Sequence, residues 1–477
     1  MNKEDICYLS ACDMRDSILR QDITSQEITE AIIERIEKIN PLINAYCTTT
    51  FDLARGLAKK ADEAVKKGEK LGDLQGIPVS IKDEMDTKGI RTTYGSKFYE
   101  NQIPEEDDVA VQRLREAGCV LLGKTNMPEF GHHPGITDNL IFGLTKNPWD
   151  LEKSSGGSSG GAAAAVASGM GSLGLGADGG GSIRVPSSLC GVYGFKPTFG
   201  RIPRYPVKGI FFWNMDHYGP IVRYVSDAAL MLNVMKGHHP FDQYSFPDDG
   251  FDYLKEIESK PKKLKIGHSM NLGFFKLLDD TVEKVVLEQV EKFNEYDWNV
   301  ESVNLKLRKP EYAFNVFASL GYAFDLKKAF NEKPEDLSPD LRGIIKAGLS
   351  FGGQDVAKAI AQRKGVYEVF HQYFKDYDIL ITPTTPCPAF LIEKTEFGTR
   401  FPVVKGKPLN ITNWMSFTYP FNLTGLPAAS IPCGWTDSGL PIGMQIIGKR
   451  YDEKTVLQVS KAFEEIAPWQ NRRPELK

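Results

Sequence analysis

The chain has 477 residues, a formal charge of −4 and 41% hydrophobic residues, which suits a globular protein with one large core or two to three domains. Its 58 lysines and arginines nearly balance 62 aspartates and glutamates, which excludes a broad basic surface for nucleic acid or for an acidic membrane. Seven scattered cysteines without a CxxC pair disfavour a disulfide framework or a zinc site, so we expect a cytoplasmic protein without a metal.

The first predicted elements alternate between helix and strand. The N-terminus is polar and has no apolar stretch, so we expect no signal peptide. Thr24 and Glu27 form a capping-box pattern ahead of an isoleucine stripe, which predicts a helix over 24–40. The next predicted elements are a helix over 52–67, a strand over 75–82, a helix over 109–117 and a buried strand over 119–122. This alternation favours an α/β fold with helices on both faces of a sheet.

The window 154–177 contains no charged residue, which raises the question of a membrane-spanning segment. It consists mostly of glycine, serine and alanine, which lack the hydrophobicity for insertion, so we expect no membrane partner. Residues 154–161 are all serine or glycine, a helix is predicted over 162–168, and a second glycine-rich stretch covers 169–182.

The second half of the chain carries weaker patterns. Its composition predicts a surface loop over 235–265, and its periodicity predicts a helix over 279–296. Short apolar runs predict late buried strands over 377–382 and 444–447. We find no internal repeat and no linker between two halves.

Two nucleotide-binding patterns occur without the context that they need. GxxxxGK[ST] at 118–125 has Cys-Val-Leu-Leu at its variable positions, which favours a buried strand over a polar phosphate loop. GxGxxG at 174–179 is followed neither by a helix-forming run nor by an acidic residue at the required spacing. We therefore expect no nucleotide cofactor.

A GxSxG pattern at 156–160 leaves an alternative open. In α/β-hydrolase esterases this pattern forms a nucleophile elbow, which would make Ser158 the nucleophile with a histidine as its base. A helix is predicted to follow, as the elbow requires. The preceding residues 147–155 cannot form the buried strand that the elbow also requires, so this interpretation ranks second.

Three polar residues in apolar or glycine-rich surroundings suggest catalysis together. Lys82 ends an apolar strand, where burial would disfavour the ammonium and leave an amine able to act as a base; a lysine that merely reaches solvent is the alternative. Ser158 lies in the serine-glycine run, which could instead be a flexible linker. Glycines 179–181 precede Ser182, and the backbone N–H groups of Gly179, Gly180, Gly181 and Ser182 could converge as an oxyanion hole.

These segments resemble the amidase signature family of serine hydrolases. The resemblance is carried by GIPVSIKD at 76–83, GKTNMPEF at 123–130, GGSSGG at 156–161, DGGGSIRVP at 178–186, CGVYGFKPT at 190–198, LITPTTP at 380–386, NLTGLPA at 422–428 and LPIGMQIIG at 440–448. It covers most of the chain and is weakest over 236–375. It implies one large α/β/α domain with a central twisted mixed sheet.

The resemblance also implies a Ser–cis-Ser–Lys triad. Ser182 would be the nucleophile, Ser158 the bridging serine and Lys82 the base, without metal or cofactor. It further implies that Ser159, Asp178 and Arg184 support the site. The substrate pocket is expected to include Met127, Gly131, His132, Trp414 and Met415.

Two functions fit within the family. The first is a free amidase, which could form a homodimer and which hydrolyses a small neutral or hydrophobic amide to a carboxylate and ammonia or an amine. The second is the amidase subunit of a glutamine-dependent tRNA amidotransferase. That subunit is expected to carry an Asp where this chain has Met415, and an arginine-containing segment to which 341–346 is a poor match. The sequence therefore favours the free amidase.

The motifs for one site extend from Lys82 to about residue 448, which predicts a single domain over 1–477. Within it we expect a helical N-terminal segment over 1–70, a catalytic core over 71–235, a variable pocket region over 236–375 and a return to the core over 376–477. The sequence does not specify the substrate.

Overall fold

A mixed sheet of eleven strands runs through the structure, a computed structural model that describes residues 2–133, 135–206, 214–395 and 398–476. In chain order the strands are β1 Tyr46–Thr49, β2 Pro78–Lys82, β3 Val120–Thr125, β4 Lys146–Asn147, β5 Asp150–Ser154, β6 Leu173–Asp178, β7 Tyr193–Lys196, β8 His217–Val222, β9 Lys265–His268, β10 Asn299–Ser302, β11 Ile379–Pro383, β12 Glu393–Thr395, β13 Gly398–Arg400, β14 Val403–Val404, β15 Lys407–Pro408, β16 Ala428–Trp435 and β17 Pro441–Gly448. The large sheet has the order β1-β3-β2-β6-β8-β7-β16-β17-β11-β9-β10.

Helices pack against this sheet and extend beyond it. They are α1 Lys3–Cys7, α2 Ala11–Leu19, α3 Ser25–Ile43, α4 Phe51–Lys67, α5 Val109–Glu116, α6 Gly160–Ala167, α7 Arg184–Cys190, α8 Val225–Met235, α9 Tyr253–Glu256, α10 Asp280–Val290, α11 Glu311–Glu332, α12 Pro339–Gly348, α13 Gly353–Asp376, α14 Ile411–Trp414, α15 Tyr419–Thr424 and α16 Glu453–Ile466. The α/β fold with a mixed sheet predicted from the sequence is confirmed.

The parallel strands β2, β3 and β6 form the part of the sheet that carries the site. Strand β2 lies between the other two, with Val79 opposite Leu121 on β3 and Leu173 on β6. All five residues of β2 are buried, as are all residues of β3 and β6. Because β2 is covered on both faces, its terminal Lys82 enters the interior instead of reaching solvent.

The C-terminal hairpin joins the two halves of the large sheet. Strand β16 pairs with β7, and β17 pairs with β11, each in antiparallel register. The two hairpin strands also pair with each other over their whole length. The strands from the first half of the chain thus meet those from its second half only through β16 and β17 within the described sheet.

Several predicted elements form close to their predicted bounds. Thr24 caps α3, and its side chain and that of Glu27 complete the capping box. The strand predicted over 119–122 is longer, because Lys124 is also buried and satisfied by the oxygens of Met85, Thr87 and Thr92. The glycine-rich stretch 169–182 contains β6, a strand that composition alone did not indicate. The weakly patterned middle contributes the long helices α11 and α13.

Candidate active site

A cavity of about 220 Å³ opens at the carboxyl ends of β2 and β6. Lys82, Ser158 and Ser182 all line it, although they are distant in the sequence. Strand β2 delivers the lysine, the turn before α6 delivers Ser158, and the loop between β6 and α7 delivers Ser182. The structure therefore brings the three predicted residues to one cavity.

Lys82 and Ser158 are in direct contact. The Lys82 side chain is 1% exposed, and its Nζ donates a hydrogen bond to Ser158 Oγ at 2.7 Å. The peptide bond between Gly157 and Ser158 is cis, the isomer that the family resemblance implies. The second neighbour of Nζ is Glu84, whose Oε2 lies 2.8 Å away. Sequence reasoning missed Glu84, because nothing in the pattern after β2 indicates which way that side chain turns.

Ser182 lies beside the same turn and is held through its backbone. Its carbonyl oxygen accepts a hydrogen bond from the N–H of Ser159 at 3.1 Å. The Ser159 hydroxyl in turn donates to the carbonyl of Ala177 at the end of β6. Among the described residues, no hydrogen bond joins the hydroxyls of Ser158 and Ser182. The expected relay is thus closed between Lys82 and Ser158 and open between the two serines.

Asp178 shapes the loop that carries Ser182. Its carboxylate accepts the backbone N–H groups of Gly181 at 2.8 Å, Ile183 at 3.1 Å and Arg184 at 3.4 Å. The predicted contribution of Gly181 to an oxyanion hole is therefore wrong, because its N–H is already bound to a charged acceptor. The backbone N–H groups of Gly179, Gly180 and Ser182 have no partner in the described part of the chain and remain available.

Gly181 nevertheless has to be glycine. Its φ is 136°, a conformation that side chains rarely adopt. A Cβ at this position would lie 2.4 Å from Thr418 Oγ1. Glycine at 181 lets the loop turn so that Ser182 reaches the cavity.

Arg184 pairs with Asp178 in a fully buried ion pair. Its Nε and Nη2 bind the two carboxylate oxygens at 2.9 and 2.8 Å. Burial opposes ionisation of Asp178, yet the charge and hydrogen bonds of Arg184 hold the pKa of this carboxyl well below its usual value. Arg184 also binds Gln445 and Asn422, which anchors the serine loop to the C-terminal part of the chain.

Four of the five predicted pocket residues line the cavity, namely Met127, Gly131, His132 and Met415. A Cβ at Gly131 would lie 3.3 Å from Ser158 Oγ, so glycine there leaves the serine accessible. Trp414 does not line the cavity, and its prediction is wrong. Its indole is fully buried and packs against Phe390 and Phe401 at ring distances of 5.1 and 6.1 Å.

The two neighbouring histidines of the pocket wall are buried, and burial keeps their rings neutral. It lowers the pKa of His132 to about 4. Burial, with a smaller effect of His132, lowers the pKa of His133 to about 3, although Asp340 Oδ2 lies 3.9 Å from His133 Nε2. His133 Nδ1 accepts the N–H groups of Gly135 and Ile136, which fixes the neutral ring. Both imidazoles are therefore neutral at pH 7.

A further ion pair in the wall was not anticipated from the sequence. Arg204 and Asp216 approach to 2.7 Å, and the guanidinium lies over the ring of Tyr218. Burial raises the pKa of Asp216 to about 7 against the opposing charge of Arg204. Helix α11 adds Phe314, Ala318 and further residues, so the cavity combines apolar and charged walls. These wall residues lie on loops and helices that are distant in the sequence, so only the three-dimensional structure shows that they line one cavity.

Neither a membrane-spanning helix nor a metal cluster occurs among the described residues. No helix there has the length and apolar character to cross a membrane. No group of three or more histidine, cysteine, aspartate or glutamate side chains is arranged to hold a metal ion in the same part of the chain.

Known proteins resemble the chain over almost its whole length. The family model described as Amidase matches residues 27–457. A glutamyl-tRNA(Gln) amidotransferase subunit from Carboxydothermus hydrogenoformans is 39% identical, over 99% of this chain and 100% of that protein. An acylamidase of Rhodococcus erythropolis is 36% identical, over 99% of this chain and 98% of that protein. The crystal structure of a bacterial aryl acylamidase matches with a TM-score of 0.90 and 30% identity, over 97% of each chain. The structure of 6-aminohexanoate cyclic dimer hydrolase matches with a TM-score of 0.89 and 28% identity, over 98% and 99%.

Proposed function

The chain belongs to the amidase family, and from that premise we propose that it hydrolyses the carbon–nitrogen bond of a small acyl amide through an acyl-enzyme on Ser182. The observation that carries this proposal is the 2.7 Å contact between Lys82 Nζ and Ser158 Oγ in the cavity that Ser182 lines. A buried amine next to a hydroxyl can take a proton from it and return the proton later.

The proposed reaction has two halves. Ser182 attacks the amide carbonyl while its proton passes to Ser158, and the proton of Ser158 passes to Lys82. The N–H groups of Gly179, Gly180 and Ser182 stabilise the oxyanion. Lys82 then returns the proton through Ser158 to the leaving nitrogen, and water releases the carboxylate by the same route. The hydroxyl of Ser182 must rotate toward Ser158 for this relay to close.

The acyl group is proposed to be small and neutral or hydrophobic. A Cβ built on Gly180 would meet Phe314 Cζ at 2.8 Å and Met415 Sδ at 3.2 Å, so two apolar side chains border the oxyanion loop. Such a wall favours an apolar acyl group next to the scissile carbonyl. A panel of primary, N-aryl and cyclic amides, with acyl groups of increasing size, tests this substrate class.

Labelling with a fluorophosphonate tests the nucleophile. We expect mass spectrometry to find the adduct on Ser182, and Ser182→Ala to abolish labelling. An adduct on Ser158 in the parent enzyme would instead support the esterase mechanism with an elbow serine. Ser159→Ala serves as the matched control, because this hydroxyl binds the carbonyl of Ala177.

Replacement of the lysine tests the base. We expect Lys82→Ala to reduce amide hydrolysis by about 100-fold or more, with a smaller loss for esters at high pH, because an ester leaving group needs less protonation. An unchanged amide rate in a folded Lys82→Ala protein would refute the assignment.

The amidase subunit of a tRNA amidotransferase is the second candidate, and the 39% identity to such a subunit favours it. Against it, Met415 borders the cavity where an aspartate is expected for the glutamine amino group. Arg342 is half-buried and donates to the carbonyl of Pro334 instead of lining the cavity. Release of ammonia from glutamine, compared with hydrolysis of the amide panel, separates the two candidates.

A further inference from the structure

We propose that Glu84 is a positioning residue for Lys82, which orients its Nζ toward Ser158 and stabilises the ammonium formed when Lys82 takes up a proton. This inference rests on the proposed function, because it assigns Glu84 a part in the same proton relay. Glu84 would thus position one of the three predicted relay residues without passing a proton itself.

The contacts of Nζ define its orientation. Within the described part of the chain, Nζ contacts Ser158 Oγ at 2.7 Å and Glu84 Oε2 at 2.8 Å. A neutral amine has one lone pair and two N–H bonds. In the structure Nζ donates to Ser158 Oγ, so it must turn its lone pair toward this hydroxyl before it takes the proton. A carboxylate on the other side of Nζ favours that orientation, because it attracts the N–H bonds.

The surroundings keep Glu84 in this position. Its side chain is 16% exposed, against 1% for Lys82, so the carboxylate lies at the rim of the cavity and the amine beneath it. A Cβ at Gly131 would lie 3.3 Å from Ser158 Oγ and 3.6 Å from Glu84 Oε2. Gly131 therefore leaves room for both partners of the lysine.

The carboxylate of Glu84 balances the positive charge that forms on Lys82 during the reaction. One proton moves from the Ser182 hydroxyl to Ser158 as another moves from Ser158 to Nζ, which creates an ammonium where an amine stood. The adjacent carboxylate of Glu84 stabilises this ammonium by its charge and itself takes up no proton. The arrangement resembles in its logic the aspartate that orients and stabilises the histidine of a Ser-His-Asp triad.

Loss of the carboxylate charge should weaken the proton-transfer step. The ammonium would then lack the anion that lies 2.8 Å from Nζ. Further charged or titratable groups among the described residues lie around the pair, including Arg204, Asp216, Tyr218 and His132. They are common to the parent and the variants, so a comparison isolates Glu84.

The test is the kinetics of Glu84→Gln with a neutral amide. The glutamine keeps an oxygen beside the amine and removes the charge. We expect kcat to fall about tenfold while KM for the neutral amide changes little, because the carboxylate acts on the proton transfer and not on substrate binding. Glu84→Asp, which keeps the charge, should recover part of the lost kcat.

Glu256→Gln is the matched control, because it removes the charge of a glutamate that pairs with Lys454 at 2.8 Å and does not line the cavity. A loss of kcat that is equal in Glu84→Gln and Glu256→Gln, or absent from both, overturns the proposal. So does a rise of KM confined to cationic substrates with an unchanged kcat, which would make Glu84 a substrate ligand. Fluorophosphonate labelling of Ser182 in the parent keeps the two hypotheses apart. A parent without that label contradicts the proposed function, whereas a labelled, active parent with an unaffected Glu84→Gln contradicts this inference alone.

Discussion

His133 couples stability to pH through a single ring. Its pKa of about 3 lies below the value of about 6.5 expected in the unfolded chain, so the unfolded state binds the proton first. Stability is therefore full above pH 6.5 and declines as the pH falls toward 3. At pH 5 the loss amounts to about 2 kcal/mol.

His133→Asn should reduce this acid sensitivity. The asparagine oxygen can accept the N–H groups that now bind Nδ1, and it does not titrate in this range. We expect the difference in melting temperature between pH 8 and pH 5 to shrink by about 2 °C. His371→Asn, at an exposed position on α13, is the control and should leave the difference unchanged. Equal changes in both variants would contradict this explanation.

Single residues show which parts of the site could be predicted from the sequence and which could not. Lys82, Ser158 and Ser182 were predicted correctly to share one cavity, because short motifs fix both the residue and its neighbours. The predictions for Gly181 and Trp414 were wrong, since the carboxylate of Asp178 accepts the Gly181 N–H and the Trp414 side chain packs in an aromatic cluster. Glu84 was not predicted for the same reason, because tertiary contacts determine where its side chain points and which residue it pairs with.

Helix α6 packs closely against the backbone of Asn126, and this packing requires glycine at position 161. A Cβ on Gly161 would lie 2.5 Å from both the N and O of Asn126. Gly161→Ala should therefore lower the free energy of unfolding by about 3 kcal/mol or prevent folding, because backbone atoms cannot withdraw. Gly365→Ala, within α13 and with open space around it, should raise it by about 0.5–1 kcal/mol. Thermal unfolding of both variants checks the pair, and a fully stable Gly161→Ala would disprove the packing argument.

Helix α11 is expected to set substrate size. Ala318 lines the cavity, so Ala318→Leu would narrow it. We expect kcat/KM for amides with bulky acyl groups to fall about tenfold or more, while that for acetamide changes little. Phe324→Ala, on the same helix but 71% exposed, should change neither. An equal loss for large and small substrates would indicate a general disturbance of the site instead.

Elements with strong local signals were predictable, and those defined by packing were not. The capping box and isoleucine stripe identified α3 to within a few residues. Strand β6 was hidden because alternating glycines carry no apolar periodicity, although all its residues are buried. Helix α11 has buried residues around several faces, so its sequence lacks the single stripe by which a surface helix is recognised.

The whole fold depends on β16 and β17, the strands with which the C-terminal part of the chain returns to the large sheet. Strand β16 covers the edge of β7 and β17 covers that of β11, and Gln445 on β17 binds Arg184 at 2.7 Å. The elements that present Ser182 are thus completed by residues near the C-terminus. Sequence motifs indicated this dependence, but only the strand order gives its physical cause.

This dependence predicts that the protein folds as one unit. A chain that ends at residue 426 lacks β16, β17 and α16, which leaves two unpaired strand edges and a buried arginine without one of its partners. We expect it to aggregate or to be digested rapidly, and to take up no fluorophosphonate. A chain that ends at residue 470 loses a mostly exposed segment and should keep its label and its melting transition. If the 426-residue chain instead melts cooperatively, the first half of the sheet is an independent domain, and the single-domain hypothesis is wrong.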